Sequence, residues 1–218
     1  MDNSRIRSIQ RIGPHHPYVL SIIYGTLLGD SHAERRSYPT LKGIKKGGTR
    51  ISFQQENSNM EYIMWLWKTL YRYGYCNKRK PKVRIRICKG GRRRFVIRFH
   101  TWTYNSFNII HDSFYLKEKK RIPYNIDRFL TPLALACWFM DDGCKIHNTV
   151  KFATNSFLHS DLEFMQKILI NKYGIYTSIH SAGVPDQYVL YIKTNSMSKF
   201  KKVVEPFMVE SMKYKLGI

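Results

Sequence analysis

Carboxylates are scarce in this chain: 15 Asp and Glu stand against 37 Lys and Arg, for a formal net charge of +22. A mixture of both signs would keep a domain soluble equally well, so the deficit of acid implies a polyanionic partner and puts nucleic acid ahead of a membrane surface. Cysteine is sparse too. Cys76, Cys88, Cys137 and Cys144 form no CxxC pair and do not cluster with histidine at zinc-ligand spacing, so they read as reduced structural thiols. No apolar run approaches the roughly 20 residues that cross a bilayer; the stretch over 18–28 is about half that and reads as a buried helix. A membrane is not an expected partner. The N-terminus carries Asp2, Arg5, Arg7 and Arg11 without an apolar signal core, so secretion is not expected. His15 and His16, flanked by prolines, read as solvated loop.

What is present argues for a folded protein. Hydrophobic residues make up 43% and aromatics 14%, in periodic stretches along most of the length, which excludes a disordered basic chain. The 218 residues suit one large domain or two of about a hundred residues each.

The chain repeats itself. In the first half an apolar helix over 18–29 ends in Asp30. A Gly/Lys-rich connector leads to a strand over 50–55, and a helix over 59–73 stops at Gly74. Strands over 82–88 and 92–101 form a hairpin through Gly90 and Gly91, and a helix over 105–115 closes the unit. The second half gives the same order: an apolar helix from Thr131 to Asp141-Asp142-Gly143, a strand over 149–155 and a helix over 160–173 stopping at Gly174. Strands over 176–181 and 187–194 then flank a turn with Gly183, Pro185 and Asp186, and a last helix starts near Asn195. The Phe53-to-Gly74 spacing matches Phe152-to-Gly174 within one residue, and Phe107-to-Phe114 recurs as Phe200-to-Phe207. The expected organisation is an N-terminal extension over 1–17, a first half over 18–116, a charged linker over 117–130 broken by Pro123, and a second half over 131–218.

Both repeated helices deliver a carboxylate at the C-terminal end, where the helix dipole is negative and disfavours Asp by some tenths of a kcal/mol. A divalent cation such as Mg2+ would remove that conflict. Gly25, inside an apolar helical run, costs roughly 0.5–1 kcal/mol relative to Ala, so its use is close helix approach. Packing of Gly25 and Gly29 against Ala134 and Cys137 would bring Asp30 and Asp142 face to face.

The nonamers ending Leu28-Gly29-Asp30-Ser31 and Met140-Asp141-Asp142-Gly143 resemble the two motifs of single-chain LAGLIDADG homing endonucleases. Leu130-Thr131-Pro132 running into Trp138-Phe139-Met140 is a specific form of the second motif. Ser31 departs from the family's usual Gly. The resemblance extends over nearly the whole chain. It implies an α+β fold of two pseudo-symmetric αββαββα repeats with saddle-shaped antiparallel sheets that bind DNA, in a monomer. It also implies metal-binding acids at Asp30 and Asp142, with Gly29 and Asp141 completing the metal set and Asp141 the weaker ligand. Basic residues fall on Lys120 and Lys215, and polar groups that order water on Gln55 and Asn155. Two or three Mg2+ ions, with Mn2+ able to substitute, would serve hydrolysis of both strands of a long DNA site, leaving 3′ overhangs and promoting intron mobility. The alternative is an RNA-binding intron maturase, with intron RNA as partner. Location is expected to be intracellular, in a mitochondrion or chloroplast if the gene is organellar.

Strand alternation supplies the DNA-reading surface independently. Lys82, Arg84 and Arg86 point away from Val83, Ile85 and Ile87, and Arg94, Arg98 and His100 away from Phe95, Ile97 and Phe99. Arg50, Ser52, Gln54 and Arg92 extend this set. In the second half Lys151, His180, Gln187, Tyr191 and Lys193 are the candidates, Gln187, Tyr191 and Lys193 opposing Tyr188, Leu190 and Ile192. Arg suits guanine and Gln suits adenine in the major groove. The halves differ, so the expected target is asymmetric.

Overall fold

The structure is a computed structural model that describes residues 6–40 and 43–218. Asp2 and Arg5 lie outside the described residues. Two compact units are formed: one runs to Ile23 and resumes over Asp30–Asp112, and the other comprises Tyr24–Gly29 and Ser113–Ile218.

Helix α1 (Pro17–Leu28) starts on a proline, whose missing N–H has no helical partner to lose. Val19, Ile22, Ile23, Tyr24, Leu27 and Leu28 are all buried, as expected of a helix that is apolar all round. In the first unit follow β1 (His32–Thr40), β2 (Gly43–Glu56), α2 (Met60–Arg72), β3 (Val83–Ile87), β4 (Arg93–His100) and α3 (Asn108–Phe114). The sheet is antiparallel in the order β1-β2-β4-β3. Helix α2 buries Tyr62, Ile63, Leu66 and Leu70 at helical spacing, and Gly74 leaves it at φ +77°. Gly90 and Gly91, at φ +79° and +75°, make the β3–β4 turn that a side chain would strain.

The second unit holds β5 (Tyr115–Leu116), β6 (Lys119–Lys120), α4 (Ile126–Phe129), α5 (Pro132–Asp142), β7 (Gly143–Ile146), β8 (Thr149–Phe152), α6 (His159–Tyr173), β9 (Thr177–Ser181), β10 (Tyr188–Ile192) and α7 (Met197–Val204). Its four-stranded sheet runs β7-β8-β10-β9, the same order as in the first unit. Thr131 caps α5 by accepting from the Ala134 N–H at 3.1 Å, and Gly174 ends α6 in the left-handed region. The fold is therefore α+β with the αββαββα order repeated. Among the described residues no helix is long and apolar enough to cross a membrane.

Four expectations are corrected. The connector after Asp30 is no connector: β1 pairs with a β2 that reaches back to Gly43. Likewise β7 precedes β8 in the second unit, and β8 stops at Phe152 rather than 155. The supposed inward side of the β3–β4 hairpin is largely in solvent, with Val83 43%, Ile85 58%, Ile87 72% and Phe95 51% exposed, while Ile97 and Phe99 are buried. Alternation assigned the faces correctly, but the core ends at Ile97. Finally, His15 is not solvated loop. Its ring nitrogens lie 3.1 Å from the Tyr75 hydroxyl and 2.8 Å from Ser106 Oγ, and its ring packs on Tyr75, Tyr104 and Phe107. Burial lowers its pKa.

Residues 117–130 are folded as well. They contribute β6 and α4, with Ile122, Ile126 and Leu130 buried.

Candidate functional site

The last turn of α1 packs directly on α5. A methyl group at Gly25 would meet the Ala134 Cα at 2.8 Å and its carbonyl oxygen closer still, so only glycine allows this approach. At Gly29 the same test meets Asp141 Oδ2 at 2.6 Å. The second small-residue contact is thus to Asp141 rather than to Cys137, which is buried elsewhere in the α5 core.

Each of these helices ends on a carbonyl held by a lysine. Lys120, on β6, donates from Nζ to the Gly29 carbonyl oxygen at 2.7 Å. Lys215, in the C-terminal 3-10 turn Glu210–Leu216, donates to the carbonyl oxygens of Met140 and of Asp141, the latter at 3.1 Å. Lys215 is only 9% exposed. Carbonyls at a helix C-terminus have no intrahelical donor and carry negative partial charge, so an ammonium there satisfies both needs. The residue after Gly29 is Asp30 and the residue after Asp141 is Asp142.

Gln55 lies on the core side of β2 and is buried. Its Nε2 donates to Asp30 Oδ2 at 2.9 Å, and its Oε1 accepts from Asn59 Nδ2 at 2.9 Å. The relay fixes which way the amide points and leaves the exposed Asp30 carboxylate with an oriented oxygen. Asn155 is engaged differently: its Nδ2 donates to Gln187 Oε1 at 2.9 Å. Strand register explains the difference. His32 pairs with Ser52 and Cys144 with Lys151, each two residues past its Asp. Counting on, the position matching Gln55 is Thr154, which is buried and donates to the Tyr188 carbonyl at 2.8 Å. Asp142 itself accepts the Ala153 N–H at its carbonyl, at 3.0 Å.

Lys120 is seated by its neighbour. Arg121 donates from Nε and Nη2 to the two carboxylate oxygens of Asp161 at 2.7 and 2.8 Å, a bidentate pair that ties the chain after β6 to the start of α6. Asp161 is buried, and its hydrogen bond raises the Arg121 pKa further above its usual range. Sequence reasoning missed this pair because nothing local links residues so far apart.

The register places Arg50, Ser52, Gln54, Arg94, Arg98 and His100 on one face of the first sheet, with Arg84 and Arg86 beside them. Lys82 and Arg92 flank the hairpin strands. In the second unit Lys151, Tyr191 and Ser178 are cross-strand neighbours, and His180 shares their face. Gln187 and Lys193 extend β10 at either end. Sequence reasoning missed the acids on the first of these faces. Glu34 accepts from Arg50 Nε at 2.8 Å and from Arg36 at 2.8 Å, and Glu56 pairs with Arg94. Burial pushes the Glu34 carboxyl up, but its hydrogen bonds to Arg50 and Arg36 together with their charge outweigh this and hold it below its ordinary value. Arg98 is engaged too, with Nε donating to Gln54 Oε1 at 2.9 Å. His100 is held neutral, its pKa pushed down to about 4 by burial and then by Arg50, against an opposing pull from Glu34.

Among the described residues no three His, Cys, Asp or Glu gather in one metal-binding cluster, and all four cysteines are free thiols. The donors at the helix ends are oxygens alone: carboxylates of Asp30, Asp141 and Asp142 with the carbonyls beside them.

Two sheets of identical strand order, and two opening helices that each end on a lysine-held carbonyl just before an Asp, define a two-repeat αββαββα protein. The chain belongs to the LAGLIDADG DNA endonuclease family, whose sequence model matches residues 20–200. It is similar to the cytochrome b mRNA maturase bI2 of Saccharomyces cerevisiae, 45% identical over 213 residues, covering 94% of this chain and 49% of that protein. The chain thus spans under half of that relative. The protein of the same name from Debaryomyces hansenii is 44% identical over 199 residues, covering 91% of this chain and 73% of its own length. Among solved structures, the homing endonuclease I-WcaI bound to its DNA recognition sequence superposes with a TM-score of 0.79 at 22% identity, over 92% of this chain and 86% of that one. I-DmoI in complex with DNA and Mn gives 0.53 at 18% identity, over 86% and 96%. At these identities the likeness is one of fold.

Proposed function

We propose that the chain is a sequence-specific homing endonuclease that makes a double-strand break in a long, asymmetric DNA site by metal-dependent phosphodiester hydrolysis. The observation that carries this reading is the matched pair of helix ends. In both repeats an apolar helix delivers an Asp, and a lysine ammonium holds the carbonyl of the residue just before it. In this reading Asp30 and Asp142 share one site and hold two or three divalent ions, Mg2+ with Mn2+ able to substitute. The donor set fits, since carboxylate and carbonyl oxygens are the ligands hard cations prefer. A bound divalent ion supplies positive charge to the scissile phosphates and acidifies water.

The chain's own groups do the rest. Gln55 orients the Asp30 carboxylate, Asn155 orders water, and Lys120 and Lys215 offset phosphoryl charge. Gly29 and Asp141 complete the metal surroundings. The arginine-rich face of the first sheet and the softer Lys151, His180, Gln187, Tyr191 and Lys193 face of the second seat the duplex in its major groove. Their inequality makes the target asymmetric, read by a monomer and cut to leave 3′ overhangs that promote intron mobility. The DNA in the I-WcaI structure and the Mn in that of I-DmoI support this by fold. A mitochondrial location accords with yeast relatives named for the cytochrome b message.

Those names favour a second reading: an RNA-binding maturase that assists intron splicing. Cleavage of a randomised duplex library with Mg2+, followed by sequencing of cut ends, separates the two. A single cut consensus, abolished by Asp142→Asn while binding survives, establishes the nuclease. Stimulation of intron splicing without any cut duplex establishes the maturase.

A further inference from the structure

The first unit contains a cleft of about 690 Å³ that shares Arg50, Lys82, Arg84, Arg98 and His100 with the basic sheet face and continues past it to Trp67, Arg79, Lys80 and Trp102. It exists because β3 starts late. β3 pairs with β4 only as far as Val83 opposite Ile97, and beyond that point β4 meets a single bridge, Cys76 to Thr101. The intervening chain arches away from the strand. Both faces of β4 and the residue after it therefore line the opening, Arg98 and His100 from one and Phe99 and Thr101 from the other. Only an uncovered sheet edge permits that.

The lining is chemically one-sided. Seven of its residues are Lys or Arg, and none of those described is Asp or Glu. Two indoles stand among the cations. Trp67 is fixed by donating from Nε1 to the Asn77 carbonyl at 3.0 Å. The Arg11 guanidinium carbon lies 5.4 Å from the Trp102 ring centroid and is tethered by a 3.0 Å bond from Nη1 to the Thr103 carbonyl. Arg79 is oriented by its own N–H, which donates to Asn77 Oδ1 at 2.8 Å in a tight turn.

Arg50 is paired with Glu34, and the other six cations still outnumber any acid in the lining and select an anion. Both indoles are already part of stacks, Trp67 on Tyr71 with 5.8 Å between centroids and Trp102 under Arg11, which a planar, polarisable group would extend. The volume falls within the roughly 300–1,000 Å³ of small-ligand sites. An unpaired nucleotide is of a size that such a volume accommodates. Basic residues interleaved with aromatics are how proteins hold single strands, each stacked base contributing about 1–3 kcal/mol.

We infer that this cleft binds an unpaired nucleotide of a single-stranded nucleic acid, the base against the Trp67 and Trp102 indoles and the phosphate on Arg79 and Lys80. The site needs neither Asp30 nor Asp142, so it stands or falls separately from cleavage.

The test uses the full chain and single-stranded oligonucleotides bearing 5-iodouracil, one RNA and one DNA, with the matching duplex as control. After irradiation, cross-links from either single strand are expected on peptides containing Trp67 or Trp102, and the stronger arm identifies the sugar preferred. Combining Arg79→Ala with Lys80→Ala should weaken single-strand binding about tenfold, the scale of one lost stacking or phosphate contact, and duplex binding by less than about twofold. Cross-links confined to other regions, an equal loss for strand and duplex, or no loss for either overturns the inference.

Discussion

The Lys120 ammonium donates to the Gly29 carbonyl oxygen at 2.7 Å, one residue before Asp30. This lysine is a structural cap and a candidate catalytic cation at once, and the two roles separate by measurement. Lys120→Met keeps the aliphatic stem and removes the charge. Loss of a cation at a helix C-terminus should cost about 1–2 kcal/mol in urea unfolding. Cleavage at saturating DNA, with the variant fully folded, should fall by at least about a hundredfold, the scale of a lost electrostatic contact in a transition state. Unchanged cleavage would confine Lys120 to capping.

Gln55→Leu removes the donor to Asp30 Oδ2 and leaves Asn59 without its acceptor. A hydrogen bond to a charged group contributes about 1.5–3 kcal/mol, so single-turnover cleavage should drop roughly ten- to hundredfold, by the usual tenfold per 1.4 kcal/mol. Binding to the uncut duplex, followed by fluorescence anisotropy in Ca2+, should hold. Equal losses in both would mean that Gln55 only supports the strand.

Gly25→Ala forces a methyl into the Ala134 backbone. Overpacking of this kind typically costs about 1–3 kcal/mol, and backbone cannot rotate aside as a side chain can. A lowered denaturation midpoint is expected. A midpoint equal to the parent's would show that α1 and α5 are able to separate without penalty.

His15 and His100 make stability depend on acid. Both have pKa values lowered in the fold, His15 by burial and His100 to about 4 by burial and then Arg50. Near neutral pH both are neutral folded and unfolded, and the fold is intact. As pH falls below the unfolded histidine value of roughly 6.5, the unfolded chain takes up protons that the folded one refuses, so stability is lost. For His100 the loss runs from about 6.5 down to about 4. The urea midpoint should decline between pH 7 and pH 5, less steeply in His100→Gln.

The bidentate Arg121–Asp161 pair should be costly to break. Asp161→Ala strands a half-buried guanidinium beside α6 and should destabilise by about 2–3 kcal/mol, below the full range for a buried pair because Arg121 is partly solvated. Equilibrium unfolding reads this directly.

The motif-bearing helices were legible because a run of apolar residues closed by an acid is a local signal, repeated twice. The basic hairpin was legible for the same reason, since alternation is local. What sequence hid was non-local. Among the described side chains of β1, Ala33 alone is apolar and buried, and the charged and polar residues around it, Glu34, Arg35, Arg36 and Ser37, give no alternation to detect. β7 is four residues long. Nothing near His15 announces Tyr75, Tyr104 and Phe107, which reach it from far along the chain. The exposure of Ile85 and Phe95 likewise depends on where the core stops, which strand periodicity does not encode. Asn155 is one position past the register match to Gln55, a shift visible only once the pairings are known.

Glu34 and Glu56 hold Arg36, Arg50 and Arg94 in ion pairs on the basic sheet face. Those three guanidiniums are already neutralised in part by protein carboxylates. A phosphate that engages them must displace a fixed anion and not a mobile one. The salt sensitivity of binding will therefore be shallower than the excess of Lys and Arg suggests. In the proposed duplex-binding role the same carboxylates would also oppose loose, sequence-independent adhesion to a polyanion.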